Sequence, residues 1–486
     1  MTARRAFLGI DCGTQSTKAL LADADTGDIL SLGQAAHEIV ERPDGTREQD
    51  PAWWIAAAVV AVTAALARAG DALVAGIAVS GQQHGLVCLD ETDRPLRRAK
   101  LWNDTTTAAE CVELERRVGG RERALALTGN VFLSGYTAPK ILWLARREPE
   151  VYAAARRFCL PHEYLDLWLT GQFAAEPGDA SGTAYFDVRA RRYSDAVLAA
   201  IDGDRVWEAA LPPLVRSLAV IGTLREDAAG ALGLEAGIPV SAGGGDNMCT
   251  AIAVGVTAEG PAAVSLGTSG TAFAFSATAA VDPEGEAAAF CDSTGAWLPL
   301  GCTLNCTSAT EWICSVLGFD HARFEAALVA TPPGADDLAF LPYLDGERTP
   351  SVPDAAGLFA GLRIDHRPDH LVRAVAEGVT FGLVYAMAAL ARAGVRPSSV
   401  VVTGGGSRSE AWTQLCADAL AMPVTRAEVP EAAAAGAALQ ARWAIDGRRP
   451  DPPRVQRVFE PRTDERLVAA AARVSILREL ARSGKV

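Results

Sequence analysis

The chain is 486 residues long and 49% hydrophobic, with a formal net charge of −14 and a pI near 5.0. That length carries far more apolar surface than one small core needs, which implies two large domains. The acidic balance argues against a nucleic-acid groove or an anionic membrane as the main partner.

The first ten residues, MTARRAFLGI, hold a basic pair but run at once into DCGT, so the apolar core of a signal peptide is missing. No uninterrupted apolar stretch reaches the length of a membrane span. A cytoplasmic protein is expected. Ten cysteines form no CxxC pair, and the closest two, Cys302 and Cys306, have no companion cluster. Reduced, mostly buried thiols suit that compartment.

AFLGI predicts a first strand, followed by the polar turn DCGTQST, a second strand KALLAD, a turn at DTGD and a third strand through ILSLGQA. Apolar runs broken in this way read as an antiparallel meander. From Pro51 to Ala69 the pattern turns alanine-rich and helical, with Asp50 placed to cap it. The strand AGIAVS then runs into SGQQHG. Further on, IPVSAGGGDNMCTAIAVG reads as a strand, three glycines and a small-residue helix. We place the domain boundary there, with an N-terminal domain over 1–245 and a C-terminal domain over 246–486.

GTQSTKALLA at 13–22 and GTSGTAFAFSA at 267–277 share one unit: a strand ends in Gly-Thr, turns through small hydroxylated residues and returns as a strand. The matching position in each half predicts two related α/β domains. LPYLDGERTP reads as a loop, and a long helix is expected from Pro368 to Ala393. The strand in SVVVTGGGSRSE ends in a glycine turn that opens another helix. EAAAAGAALQA is an ordinary helix, and beyond Gly447 a proline- and arginine-rich stretch leads to a final helix.

Three glycine turns follow strands: DCGT at 11–14, LGTSG at 266–270 and TGGGSRS at 403–409. Such turns aim backbone N–H groups at phosphate oxygens, and three of them in the two halves point to a nucleotide held between domains. Neither GxxxxGK(S/T) nor GxGxxG occurs, and HRD and DFG are absent, which disfavours Walker-type, dinucleotide and protein-kinase sites. Asp11, beside the first turn, has the chemistry to hold Mg²⁺ through waters next to phosphates; closing an Asx turn is its structural alternative. Asp246, after three glycines, has the chemistry to take the proton of an attacking hydroxyl and also to cap the helix that follows. SGQQHG offers two amides and an imidazole with no strong charge, which suits a polyhydroxyl ligand.

The stretches GIDCGTQSTKALL, EQDPAWW, GIAVSGQQHG, LWNDTTT, LTGNVFLSGYTAPKILWL, GGGDNMCTAIAVG, SLGTSGTAFA, FLPYLDGERTP, GLFAGLRIDHRPDHLVRAVAEG and VVTGGGSRSEAW cover nearly the whole chain up to Arg442. In that order they resemble the FGGY family of carbohydrate kinases, and within it the members that act on D-xylulose. The resemblance implies an α/β fold of two actin-like (ribonuclease-H-like) ATPase domains flanking a cleft, with ATP and Mg²⁺ as cofactors and a small sugar as the partner. A homodimer is compatible with it.

By the same resemblance Asp246 is the catalytic base, Asn247 binds the sugar, and Asp11 is the metal- and phosphate-associated aspartate. Gly13 and Thr14 belong to the first phosphate turn, Gly267 and Thr268 to the second, and Gly404, Gly405, Gly406 and Ser407 to the adenosine side. Gln83 and His84 fall where the family lines its sugar pocket, while Gln82 ties down the turn. Trp102 is a further sugar-side candidate in the segment LWND, with Asn103 and Asp104 beside it. Glycerol kinases of the family carry an Arg-Glu pair at the SGQQHG turn, so the neutral turn favours D-xylulose over glycerol. Two alternatives stand beside this reading: an FGGY kinase for ribulose, ribitol or arabinitol, and an actin- or Hsp70-like ATPase without sugar kinase activity.

Overall fold

The computed structural model describes residues 4–485. Strands β1 (Arg5–Cys12), β2 (Ser16–Asp23) and β3 (Ile29–Ala36) form the expected meander, each pairing antiparallel with the next. Helix α1 (Pro51–Leu66) follows, its first turn closed by Asp50, whose Oδ1 accepts the Ala52 N–H at 2.9 Å. Strand β4 (Leu73–Gly81) returns parallel to β1. Helix α2 (Thr137–Arg147) belongs to the layer of helices that follows. Three later strands complete the first sheet: β5 (Val220–Thr223), β6 (Pro239–Ser241) and the two-residue β7 (Gly244–Gly245), which pairs with β4. The order is β5-β6-β4-β1-β2-β3.

Helix α3 (Asp246–Ala253) leads from this sheet to a second one. Its strands are β8 (Pro261–Leu266), β9 (Gly270–Ala274), β10 (Leu300–Thr303), β11 (Ser399–Thr403), β12 (Val424–Ala427) and β13 (Val455–Phe459), in the order β10-β9-β8-β11-β12-β13. Read across either sheet from the meander edge, the pairings run antiparallel, antiparallel, parallel, parallel, antiparallel. The repeated strand–Gly-Thr–strand unit is therefore the β1–β2 hairpin of one sheet and the β8–β9 hairpin of the other. This is the two-domain actin-like ATPase fold.

β1 and β8 read as continuous apolar runs because both of their faces are covered. Helix α4 (Pro368–Arg392) fills the second core with Val372, Val375, Val379, Leu383 and Leu390. Among the described residues it alone is long and apolar enough to cross a membrane, and it is a buried core helix that carries the Arg373–Glu377 ion pair at 2.6 Å. Helices α5 (Glu410–Leu420), α6 (Ala432–Asp446) and α7 (Glu465–Arg482) complete the chain.

Strand β13 lies in the proline- and arginine-rich stretch beyond Gly447, where the sequence reading named no strand. VQRVF is an edge strand with only Phe459 buried, so its polar face and proline neighbours hide the alternation that would have marked it.

Helix α6 departs from chain order. It follows β12 of the second sheet, yet packs on β1, β2 and β4 of the first and against α3. The approach is close enough to need glycine on both sides: a Cβ at Gly9 of β1 would stand 1.9 Å from the Ala434 carbonyl, and one at Gly436 of α6 would stand 1.7 Å from the Cys249 carbonyl. The layer between is alanine-rich, with Ala434, Ala435, Ala437, Ala438 and Ala441 against Phe7, Leu20, Ala78 and Cys249.

Candidate active site

A cavity of about 910 Å³ opens between the two sheets, near the upper end of the range of roughly 300–1,000 Å³ usual for ligand sites. Two matched turns reach it. Asp11 comes from the end of β1 and Gly13 from the turn between β1 and β2, and Gly267, Thr268 and Ser269 from the turn between β8 and β9. One end is walled by Gln83, His84, Trp102 and Tyr136, the other by Gly404, Gly405 and Ser407 together with residues 426–433. Asp246 and Asn247, at the start of α3, line the same cavity.

The first turn is cross-braced. Gln82 Nε2 donates to Gln49 Oε1 at 2.8 Å and to the Gly13 carbonyl at 3.4 Å, while Gln49 Nε2 donates to the Thr14 carbonyl at 2.7 Å. Gln82 thus does tie down the turn. Two of the site residues expected in the glycine turns, Thr14 and Gly406, lie off the cavity wall. Thr14 accepts the Trp102 indole N–H through Oγ1 at 2.9 Å, and a Cβ at Gly406 would run into Trp412 and Leu266. Asp104 is wholly buried, holding the Lys100 ammonium at 2.9 Å and the Arg47 N–H, and so shapes the wall from behind Trp102.

Gln83 and His84 sit just past the C-terminal end of β4, with His84 in the left-handed region at φ 67°. The His84 carbonyl accepts the Lys140 ammonium at 2.7 Å and the Thr137 hydroxyl at 3.1 Å, both from α2, which fixes that uncommon backbone. The imidazole meets Tyr136 edge-on at 4.7 Å. Burial, reinforced by the charges of Lys140 and Arg348, holds it well below the usual histidine range, so the ring is neutral at pH 7. Gln83 Oε1 accepts Asn247 Nδ2 at 3.2 Å, which leaves Gln83 Nε2 buried without a partner. A ligand oxygen there would satisfy it.

Asp246 does not cap its helix. Gly245 holds the N-cap position, and Asp246 is the first helical residue, its Oδ1 accepting the Asn247 N–H at 2.7 Å and Asn247 Nδ2 at 2.9 Å. Those bonds reach only Oδ1. Burial first, then the negative charge of Asp11, lift the Asp246 carboxyl to about 7 against the hydrogen bonds from Asn247. Asp11 accepts the Ser80 hydroxyl on Oδ1 at 2.9 Å and is raised by burial to about 6, opposed by the charge of Lys18. Lys18 also lines the cavity, paired with Glu431 at 2.5 Å.

Among the described residues no group of three or more metal-ligating side chains exists. That donor set still suits a magnesium ion bound with a nucleotide, which keeps most of its waters and takes one or two carboxylates beside the phosphates. Asp11 is such a carboxylate.

Arg348 and Cys302 of the second half also line the cavity, as do Lys18 and Phe290. Sequence reasoning gave them no role. LDGERTP read as a loop, and nothing local in it signals that its arginine reaches a wall built by residues 84–136.

Comparison with known proteins places this geometry. A domain model described as the FGGY family of carbohydrate kinases, N-terminal domain, matches residues 6–253, and its C-terminal counterpart matches residues 262–445. The xylulose kinase of Haemophilus influenzae is 39% identical over 445 residues, 90% of this chain and 90% of the relative. That of Streptomyces coelicolor is 40% identical over 445 residues, 90% of this chain and 88% of the relative. The crystal structure of a xylulose kinase from Bifidobacterium adolescentis superposes with a TM-score of 0.84 at 32% identity, covering 97% of this chain and 99% of the other.

Proposed function

Given that the chain belongs to the FGGY family of carbohydrate kinases, we propose that it transfers the γ-phosphoryl group of ATP to the terminal hydroxyl of D-xylulose, giving D-xylulose 5-phosphate and ADP. The relatives it resembles over nine-tenths of its length are named as xylulose kinases. The observation that carries the mechanism is the position of Asp246: a carboxylate whose hydrogen bonds reach only Oδ1, in one cavity with the Gln83–His84 wall and both phosphate turns.

In this reading Gln83, His84 and Asn247 bind the sugar hydroxyls with neutral donors and acceptors, which suits an uncharged ligand in a half-buried pocket. Asp246 accepts the O5 proton as O5 attacks the γ-phosphorus in line. The O5–P bond forms, the bond to the bridging oxygen breaks, and ADP leaves. The N–H groups of the turns at Gly13 and at Gly267–Thr268 cradle the phosphates, and the glycine turn at Gly404–Ser407 takes the adenosine side. Asp11 would hold Mg²⁺, which supplies charge neutralisation at the phosphates. Positioning and electrostatics carry most of the rate in such a transfer.

ADP release measured with D-xylulose, D-ribulose, ribitol, D-arabinitol and glycerol tests the reading. D-Xylulose is expected to give the highest kcat/KM. A tenfold preference for glycerol or a ribo-configured substrate overturns the sugar assignment and leaves the carbohydrate kinase in place.

A further inference from the structure

The sugar end of the cavity contains one permanently charged group with no counter-ion. Arg348 reaches it from the second half of the chain, 5.6 Å from the Trp102 ring and beside the Cys302 thiol. Among the described residues no carboxylate pairs with its guanidinium. The adjacent Glu347 is turned away, its carboxylate taken by the N–H groups of Leu304 and Arg348 and by Asn305. The opposite wall is cut to fit: a Cβ at Gly135 would stand 3.1 Å from Arg348 Nη2 and 2.3 Å from the Trp102 carbonyl. None of its nitrogens is buried without a partner, so the guanidinium faces the open cavity with donors free to meet a ligand acceptor.

The chemistry of the substrate class says which acceptor that is. A 2-ketopentose closes its furanose ring through O5. Only the open-chain form has O5 free for phosphorylation, so the reacting molecule carries a C2 carbonyl, a pure acceptor with two in-plane lone pairs. Arginine is a pure donor with a planar fork. A C2 hydroxyl fits worse against that fork, because one direction around its oxygen is taken by its own O–H bond and its lone pairs do not lie in one plane. Resting on the proposed reading of the site as a ketose pocket, we infer that Arg348 is a specificity-determining residue that donates to the C2 carbonyl of the open-chain ketose and so selects ketoses over polyols.

Xylitol and D-arabinitol are the two C2-reduced forms of D-xylulose, identical to it at C3, C4 and C5, and serve as matched probes. All three are compared on the wild type, Arg348→Met and Arg348→Gln, the polyols as substrates or, where they turn over too slowly, as competitive inhibitors. Loss of a hydrogen bond from a charged donor is expected to lower kcat/KM for D-xylulose on the order of 10- to 100-fold. The polyol constants and the KM for ATP should stay within about threefold, and Arg348→Lys should restore part of the ketose preference. A merely structural arginine would weaken ketose and polyols in parallel, and that result in either folded variant overturns the inference while the ketose reading stands. A wild type that turns over polyols and not D-xylulose overturns the ketose reading, and this inference with it.

Discussion

Asp246 and Asp11 share one cavity as two mutually repelling carboxyls, and pH is the direct probe of that arrangement. With both substrates well below saturation the free enzyme titrates, so kcat/KM should rise with pH along an acid limb centred near 7, the value to which burial and Asp11 lift Asp246. Asp246→Asn should lose that limb and reduce kcat by roughly 10²–10⁴, the usual contribution of a general base. Its stability should move the other way. The folded Asp246 titrates near 7 against an ordinary 3.8, so the folded protein holds a proton between those values that the unfolded chain has released. The stability linked to that proton is complete below about 4 and lost by about 8. The Asn variant, which never ionises, should therefore melt higher than the wild type at pH 8 and alike at pH 4; a lower melting point at pH 8 would refute the buried charge.

The residues gathered at the cleft differ in how far the sequence betrays them. Asp11, Gln83, His84 and Asp246 each sit in a short run of glycine and polar residues at a strand end, a pattern visible within half a dozen positions. Arg348 has no such setting, because what gives it meaning is Gly135 and Trp102, more than two hundred positions earlier.

At the level of elements, the β1–β2 and β8–β9 hairpins were legible because strand, turn and strand are contiguous and each strand is covered on both faces. The docking of α6 was not. Its alanine-rich sequence has no distinct apolar stripe, and its partners are α3 and a sheet that ends two hundred residues earlier. The packing there depends on backbone approach, so volume is the sensitive variable. Gly436→Ala places a methyl where the Cys249 carbonyl stands 1.7 Å away, and α3 or α6 must shift to admit it. A loss at or above the usual overpacking cost of about 1–3 kcal/mol is expected. Urea denaturation reads it as a lower midpoint at unchanged slope. Because α3 begins with Asp246, kcat should fall with it; a fully stable and active variant would show that the two helices tolerate separation.

At the scale of the molecule, turns from both halves face one cavity, and a phosphoryl donor held there must be kept from water. Domain closure is the general solution. Small-angle scattering should show a smaller radius of gyration with D-xylulose and a non-hydrolysable ATP analogue together than with either alone, and identical profiles in all four states would rule closure out.

Helix α6 also sets the order in which this chain can mature during synthesis. Residues 5–245 supply every strand of the first sheet, but the face formed by Phe7, Leu20 and Ala78 is covered by a helix that ends at Asp446. A ribosome making the chain from its N-terminus must add some two hundred further residues before that cover exists. Until then the nascent first half displays an apolar surface shaped to receive a helix, which is the kind of surface that holdase chaperones recognise and that associates with other nascent copies. The fold thus joins two similar halves in space while making the earlier one wait for the later in time.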